Sequence, residues 1–149
     1  MLSQTTKEIE AAFKAQNWTY NIDQREDSSA LITGFNLKSG DSVQVFFISA
    51  GDKDLAIRVF RAIDIPAGKE DIAIRTCNKI NLEYRFTKFV VDNGCVGVQL
   101  DVAMETQNMG PVAIELISRT LDILEHSLPT FKSAFGAAPA GGSFSGNNA

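Results

Sequence analysis

The sequence contains few of the residues that usually build metal, redox and nucleophilic sites. Its 149 residues include one histidine and two cysteines. Cys77 and Cys95 lack the spacing and the neighbours of a metal-binding knuckle, so we expect two buried free thiols. His126 stands beside Glu125 and near Asp122 without further donors, and is expected to be solvated in the last turn of a helix. These absences predict no metal, no cofactor and no catalytic residue.

Motifs for acyl and phosphoryl chemistry are also missing. The segment Gly142-Ser-Phe-Ser-Gly146 has Phe144 where a G-x-S-x-G elbow carries its nucleophilic serine. The Gly-x-x-x-x-Gly-Lys spacing of a phosphate-binding loop does not occur. We therefore expect a non-enzymatic protein, because an enzyme would need side chains from distant parts of the sequence to converge in one cleft.

Long hydrophobic runs and an excess of positive charge are absent as well. The densest apolar stretch, Val43 to Ala50, is interrupted by Gln44 and Ser49 and falls far short of the roughly 20 residues that span a bilayer. Residues 1–10 lack the hydrophobic region of a secretory signal, which predicts a cytoplasmic protein. The formal net charge of −4 predicts repulsion from nucleic acid and from anionic membranes, so neither is expected as a partner.

The sequence does contain a regular succession of helical and strand-like apolar patterns. Segments of period 3.6 predict helices, and segments of period 2 predict strands. In chain order we predict a helix over about 6–17, strands over 18–22, 30–37, 42–49 and 55–63, a helix over 69–82, strands over 84–91 and 96–102, and a helix over 110–128. The predicted fold class is α+β, an antiparallel sheet with helices in the order α-β-β-β-β-α-β-β-α.

Two helix ends and one domain boundary can also be predicted. Thr5 and Glu8 have the spacing of a capping box for the first helix, and Pro129 is expected to end the third. Residues 1–135 are predicted to form a single domain. Residues 136–149 are rich in glycine, serine and alanine, and we expect a flexible tail because they offer almost no apolar surface to bury.

The strand pattern predicts an apolar surface on both faces of the sheet. If the alternate apolar positions from 43 to 47 and from 55 to 59 face the helices, then Phe46, Ile48 and Phe60 lie on the opposite face. Monomers rarely expose a contiguous apolar patch. That face is therefore either covered by the third helix or used as a dimer or partner interface.

Basic residues are concentrated near the middle of the predicted sheet and second helix. Arg58, Arg85 and Lys88 are candidates to contact an acidic partner or to surround a small anion. The alternative is that they are surface cations, which form weak pairs with some of the eighteen acidic residues.

The junction between the second helix and the following strand resembles the YbjN family of bacterial sensory-transduction regulators. The residues that carry the resemblance are Asn81-Leu-Glu-Tyr-Arg-Phe-Thr-Lys-Phe-Val-Val-Asp-Asn-Gly-Cys-Val-Gly-Val-Gln-Leu-Asp101. Family members have an asparagine-bearing helix end, an Arg-Phe-x-Lys-Phe type strand, a tight turn and an alternating strand that ends in an acid. The resemblance covers roughly residues 5–135, although Val102-Ala103-Met104 replaces the family's frequent Leu-Pro ending.

The resemblance implies a fold like that of type III secretion chaperones, small α+β proteins that commonly dimerise and bind other polypeptides. The positions that match the family segment are Asn78, Asn81, Tyr84, Arg85, Phe86, Lys88 and Phe89. No catalytic role comes with them. We expect Asn81 to cap or turn the helix end. Phe86 and Phe89 should pack in the core or on the sheet, and Arg85 and Lys88 should face solvent.

Two functional hypotheses follow from these patterns. The leading one is a non-enzymatic cytoplasmic regulator or chaperone-like protein that binds a polypeptide partner and forms a homodimer through the apolar sheet face. The second is a small-ligand sensor, in which a cleft beside the second helix gathers the three central cations around an anion.

Overall fold

The helices and strands follow one another along the chain in the order that the sequence predicts. The computed structural model describes residues 2–102 and 108–136. In chain order the elements are α1 (Gln4–Ala15), β1 (Asn21–Gln24), β2 (Ser29–Asn36), β3 (Ser42–Ser49), β4 (Leu55–Asp64), α2 (Glu70–Glu83), β5 (Lys88–Asp92), β6 (Cys95–Val102) and α3 (Met109–Phe135). The predicted α+β class with the order α-β-β-β-β-α-β-β-α is confirmed.

These strands form one antiparallel sheet in the order β1-β2-β3-β4-β6-β5. The first four follow each other as a meander because short turns join them. The chain then passes through α2 to the outer edge, forms β5 there, and returns as β6 between β5 and β4. Asn93 (φ 50°) and Gly94 (φ 74°) give the β5–β6 turn the two positive φ angles that a tight hairpin requires.

The three helices bury their apolar residues in a single core on one side of the sheet. Alternate strand residues point into that core, and Phe47 of β3 and Ile57 of β4 are at most 1% exposed. Phe13 of α1 packs edge-to-face on Phe47 with ring centroids 5.4 Å apart. Phe131 of α3 lies against Phe89 of β5 with a centroid distance of 5.7 Å. These contacts connect both terminal helices to the same face of the sheet.

The predicted capping box at the start of α1 is wrong. Ser3 is the N-cap, and its Oγ accepts a hydrogen bond from the backbone N–H of Thr6 at 3.0 Å. Thr5 is buried inside the helix. Glu8 instead accepts from the backbone N–H of Met109 at 3.0 Å, at the first residue of α3. A carboxylate there satisfies an N–H that the helix itself cannot pair. Tertiary contact therefore decides the role of this glutamate.

The prediction that Pro129 ends the third helix is also wrong, because α3 continues through it to Phe135. A proline inside a helix typically costs about 3 kcal/mol through the lost hydrogen bond and the steric clash. Phe131 and Phe135 follow it and are 0% and 3% exposed, so their burial offsets that cost. His126 consequently lies inside the helix rather than in its last turn, with Nδ1 2.8 Å from the carbonyl oxygen of Asp122.

Strand β5 is shorter than predicted, because it begins at Lys88 and not at Tyr84. The preceding residues form a bend in which the buried hydroxyl of Thr87 lies 3.0 Å from that of Thr120 on α3. Phe86 adopts a positive φ of 67° and is 65% exposed, so the expectation that it packs in the core is wrong. The alternating pattern continues through this bend: Thr87 faces the core, as Phe89 does, and Phe86 lies on the outside.

Two predicted features lie outside the described residues. These are the flexible tail, apart from Gly136, and the loop that begins at Ala103 in place of the family's Leu-Pro ending. Within the described part, β6 ends at Val102.

The cysteines are buried and free, as the sequence predicts. Cys77 lies on the core side of α2, where burial raises the pKa of its thiol to about 11. Burial also raises the pKa of the Cys95 thiol, and the hydrogen bond to Asp64 acts in the same direction. Both side chains are therefore protonated and weakly nucleophilic at neutral pH.

We expect Cys77 to make the protein less stable in alkali. The folded thiol stays protonated up to about pH 11, whereas the unfolded thiol ionises above its ordinary pKa of 9.0, so the unfolded state is favoured as pH rises from 9 to 11. Urea unfolding at pH 8 and pH 11 should show a loss about 2 kcal/mol larger in the wild type than in Cys77→Ala. Equal losses in the two proteins would contradict the assigned pKa.

We expect Gly110→Ala to loosen the contact between α1 and α3. A Cβ at this position would lie 2.5 Å from the carbonyl oxygen of Glu8 and 2.9 Å from the Cβ of Ala12. The helices would have to move apart, at a cost of about 1–3 kcal/mol in the free energy of unfolding. Gly51→Ala is the matched control, because its Cβ would approach only Asp54, at 3.7 Å, and should leave stability within about 0.5 kcal/mol. Equal denaturation midpoints for the two variants would refute this packing argument.

Candidate partner-binding face

The sheet face that points away from the helices, called the open face from here on, contains the three predicted interface residues. Cross-strand pairing places Phe46 of β3 opposite Arg58 of β4, and Ile48 opposite Ala56. Phe46 and Ile48 are half-buried, and Phe60 is 52% exposed. In the described part of the chain, all three helices contribute to the core on the other side, so α3 does not cover this face.

A bulge in β4 determines the position of Phe60. The pairing with β6 shifts between Val59 and Ile63, and three residues of β4 there face Gly97 alone. Gly97 permits this close approach, because a Cβ on it would lie 3.0 Å from the carbonyl oxygen of Val59. The bulge presents Phe60 against Phe46, with ring centroids 5.0 Å apart in an edge-to-face arrangement. The two rings form the aromatic centre of the open face.

Arg58 lies beside these rings and is engaged in three contacts. Its Nη2 is 2.7 Å from Oδ1 of Asp101 on β6. Its Nη1 donates to the carbonyl oxygens of Ile57 at 2.9 Å and Leu100 at 3.3 Å. The guanidinium is therefore held flat on the sheet by partners within the same chain.

A cleft of about 480 Å³ lies at the end of the open face, beyond the end of β1. Phe46 and Phe60 line one side of it, and Gly34 and Gln44 belong to the strands beneath. Arg61 of the β4 bulge also lines the cleft. This cleft was not anticipated from the sequence, because it depends on where β1 stops pairing with β2.

A second pocket, of about 400 Å³, lies on the opposite side of the molecule between the α2–β5 bend and α3. Arg85, Phe86 and Leu116 line it, together with Arg119 and Asp122. Arg119 donates from Nε to Glu115 at 2.8 Å. The pocket therefore combines an exposed aromatic ring with charges of both signs.

The α2–β5 bend is held by the side chain of Asn81. Its Nδ2 donates to the carbonyl oxygen of Phe89 at 3.0 Å, and its Oδ1 accepts from the N–H of the same residue at 2.8 Å. Lys88 donates from Nζ to the carbonyl oxygens of Asn81 and Tyr84, both at 2.9 Å. Because β5 is an edge strand, the asparagine satisfies backbone groups that would otherwise face an open edge.

The expectations for this segment are met only in part. Asn81 does not cap α2, since Tyr84 is the C-cap, and it bonds across to β5 instead. Phe89 is buried in the core as expected. Arg85 is exposed, but Lys88 is half-buried and turned towards the helix end rather than towards solvent.

The three cations of the sensor hypothesis lie in different surroundings. Arg58 is paired with Asp101 on the open face, and Lys88 binds helix carbonyls. Arg85 lines the second pocket, to which the other two do not contribute. No observation on the described residues favours an anion site shared by the three.

The described residues were compared with the requirements of a metal site and of a membrane-spanning helix. Among residues 2–102 and 108–136, no three histidine, cysteine or acidic side chains are grouped so that they could hold a metal ion. None of the described helices is both long and apolar enough to traverse a bilayer.

One comparison with known proteins gave a match. The family model YbjN, described as "Putative bacterial sensory transduction regulator", matches residues 5–137. Neither the curated proteins nor the solved structures gave a significant match. The matched range includes every helix and strand from β1 to α3 and nearly all of α1. The expected likeness to type III secretion chaperones stays a prediction.

We expect Asn81→Ala to destabilise the α2–β5 connection. The change removes two hydrogen bonds and leaves the N–H and C=O of Phe89 without these partners, so the free energy of unfolding should fall by about 1–3 kcal/mol. Asn78→Ala is the matched control, because Asn78 is exposed on the same helix. Chemical denaturation measures the free energy of unfolding of both variants. If Asn81→Ala loses no more stability than Asn78→Ala, the two hydrogen bonds of Asn81 do not stabilise the protein.

Proposed function

Because the chain belongs to the YbjN family of bacterial sensory transduction regulators, we propose that it is a non-enzymatic regulator that binds a polypeptide partner through its open face. One observation carries the proposal: Phe60, at 52% exposure, packs against Phe46 on a face that no described helix covers. Exposed aromatic surface is unfavourable in water, and contiguous apolar patches on monomers are usually binding sites.

The composition of the open face supports a polypeptide as the partner. Its centre is aromatic and aliphatic, and polar side chains such as Gln44 and Gln99 lie around it. An apolar centre with a polar rim is the usual anatomy of a protein interface. Arg58 is already paired with Asp101, so its charge needs no new partner when the face is covered.

Self-association through the same face is part of the proposal. A two-fold interface requires a patch that is complementary to itself. The open face carries apolar rings next to an Arg58–Asp101 pair, which holds one charge of each sign. A second copy in antiparallel orientation would therefore meet apolar surface and opposite charges. We also assign the protein to the cytoplasm, where its two free thiols would stay reduced.

The test is Phe60→Ser, with Leu82→Ser as the matched control. Leu82 is 82% exposed on α2, away from the open face, so both variants remove an exposed apolar side chain. We expect Phe60→Ser to weaken partner capture and dimerisation at least tenfold, because aromatic anchors dominate interface energies. Quantitative pull-down from the native host and light scattering over a dilution series measure the two effects.

The control variant should behave like the wild type in both assays. If Phe60→Ser captures the same proteins and has the same molar mass in solution as Leu82→Ser, the open face is not the binding surface.

A further inference from the structure

The cleft at the end of the open face exists because β1 is shorter than its neighbour. The pairing of β1 with β2 ends at Asn21 opposite Ile32. The pairing of β2 with β3 continues to Asn36 opposite Ser42. The last residues of β2 and the first residues of β3 therefore extend past β1, and the cleft of about 480 Å³ lies over them. Its volume is within the range of about 300–1,000 Å³ that is typical of ligand pockets.

Gly34 lines the cleft, and neither its backbone conformation nor its packing requires a glycine. Its φ is not in the positive range, and a Cβ on it would meet only the carbonyl oxygen of Val43, at the ordinary contact distance of 3.8 Å. In contrast, packing excludes a side chain at Gly97 and at Gly110. Glycine within a strand is destabilising relative to residues with a side chain. The visible effect of glycine at this position is to keep the cleft open.

Aromatic rings and one positive charge define the chemistry of the cleft. Phe46 and Phe60 supply apolar surface, and Asn21 and Gln44 supply amide groups. Among the residues that the structure describes, Arg61 is the only charged one that lines the cleft. Its Nη2 is 3.2 Å from Oδ1 of Asp64, but both side chains are more than 70% exposed, so the pair is weak and can exchange. The cleft therefore favours a negatively charged occupant with an apolar side chain.

Building on the proposed function, we infer that this cleft is the anchor pocket of the open face and takes an aromatic side chain from an acidic polypeptide segment. The aromatic ring fills the space that Gly34 leaves and meets the edge-to-face pair of Phe46 and Phe60. The neighbouring carboxylate of the peptide pairs with Arg61 in place of Asp64. A polypeptide suits the site because the cleft is continuous with the apolar row of the open face, which can contact residues beside the anchor.

A titration of the full-length, ¹⁵N-labelled chain with short peptides tests the inference by NMR. The probe is acetyl-Glu-Phe-Glu-amide, with acetyl-Glu-Ala-Glu-amide and acetyl-Lys-Phe-Lys-amide as controls. We expect shifts centred on Gly34, Gln44 and Phe46, and Kd values at least fivefold weaker for each control peptide. Equal binding of the three peptides, no binding, or shifts centred outside the cleft would overturn the inference.

The variant Gly34→Val distinguishes an effect on the cleft from an effect on the stability of the fold. Valine suits a strand and its Cβ has room, so we expect thermal stability at or above that of the wild type and at least tenfold weaker binding of acetyl-Glu-Phe-Glu-amide. Ala11→Val is the matched control, because Ala11 is exposed on α1, away from the open face, and the added bulk should leave peptide binding unchanged. Wild-type peptide affinity in Gly34→Val would overturn the inference.

The remaining outcomes distinguish this inference from the proposed function. If Phe60→Ser loses its partner but Gly34→Val keeps it and binds the peptide normally, the open face is the interface and the cleft is not its anchor. If the resonances of Gly34 and Gln44 move when the chain alone is diluted, and saturating acetyl-Glu-Phe-Glu-amide does not change that shift, a second copy occupies the cleft, and the peptide inference is overturned. If both variants capture partner as the wild type does, the proposed function itself falls.

Discussion

One-sided burial of the sheet is the constraint on which the rest of the structure depends. Three helices supply one core, and the period-2 geometry of the strands sends every second side chain into it. Phe47 and Ile57 disappear into that core, and Phe46 and Arg58 necessarily lie on the other face. The open face is thus a consequence of how the core is built. Burial in the core does not explain why the open face also carries apolar residues.

The two edges of the sheet differ in the contacts that the rest of the chain makes with them. At the β5 edge, Asn81 bonds to the backbone N–H and C=O of Phe89, so these two edge groups are paired within the chain. Lys88 satisfies carbonyl groups at the end of α2. At the other edge, β1 begins only at Asn21, opposite Ile32, while β2 extends beyond that pair to Asn36, and a cleft remains. The family segment that looks most distinctive in the sequence therefore secures the fold. That segment also exposes Leu82 and Phe86, but the exposed ring that packs on a second aromatic ring of the sheet is Phe60, at the bulge.

Residues with a local role could be predicted from the sequence, but those with a long-range role could not. Strand alternation was enough to assign Phe46 to the opposite face from Phe47, because that rule needs only neighbours in the chain. The capping role assigned to Glu8 failed because its partner, Met109, belongs to α3. Pro129 remains inside a helix because Phe131 and Phe135 gain more from burial than the helix loses. Phe86 is a different case: it lies three residues before the buried Phe89, and strand alternation puts two such residues on opposite faces, so its exposure follows a local rule.

By itself, the sequence determined the order of helices and strands, the α+β class, the two faces of β3 and the family, because periodicity and turn residues act over short distances. Only the tertiary structure decided that Asn81 bonds to the backbone of Phe89 at the β5 edge, where β4 bulges, and that Gly34 lies in a cleft. Each of these depends on the pairing register between strands or on contacts between residues that are distant in the sequence. The periodicity of apolar residues along the chain carries no information about either. The candidate site belongs to this second group: its residues were visible in the sequence, but its shape was not.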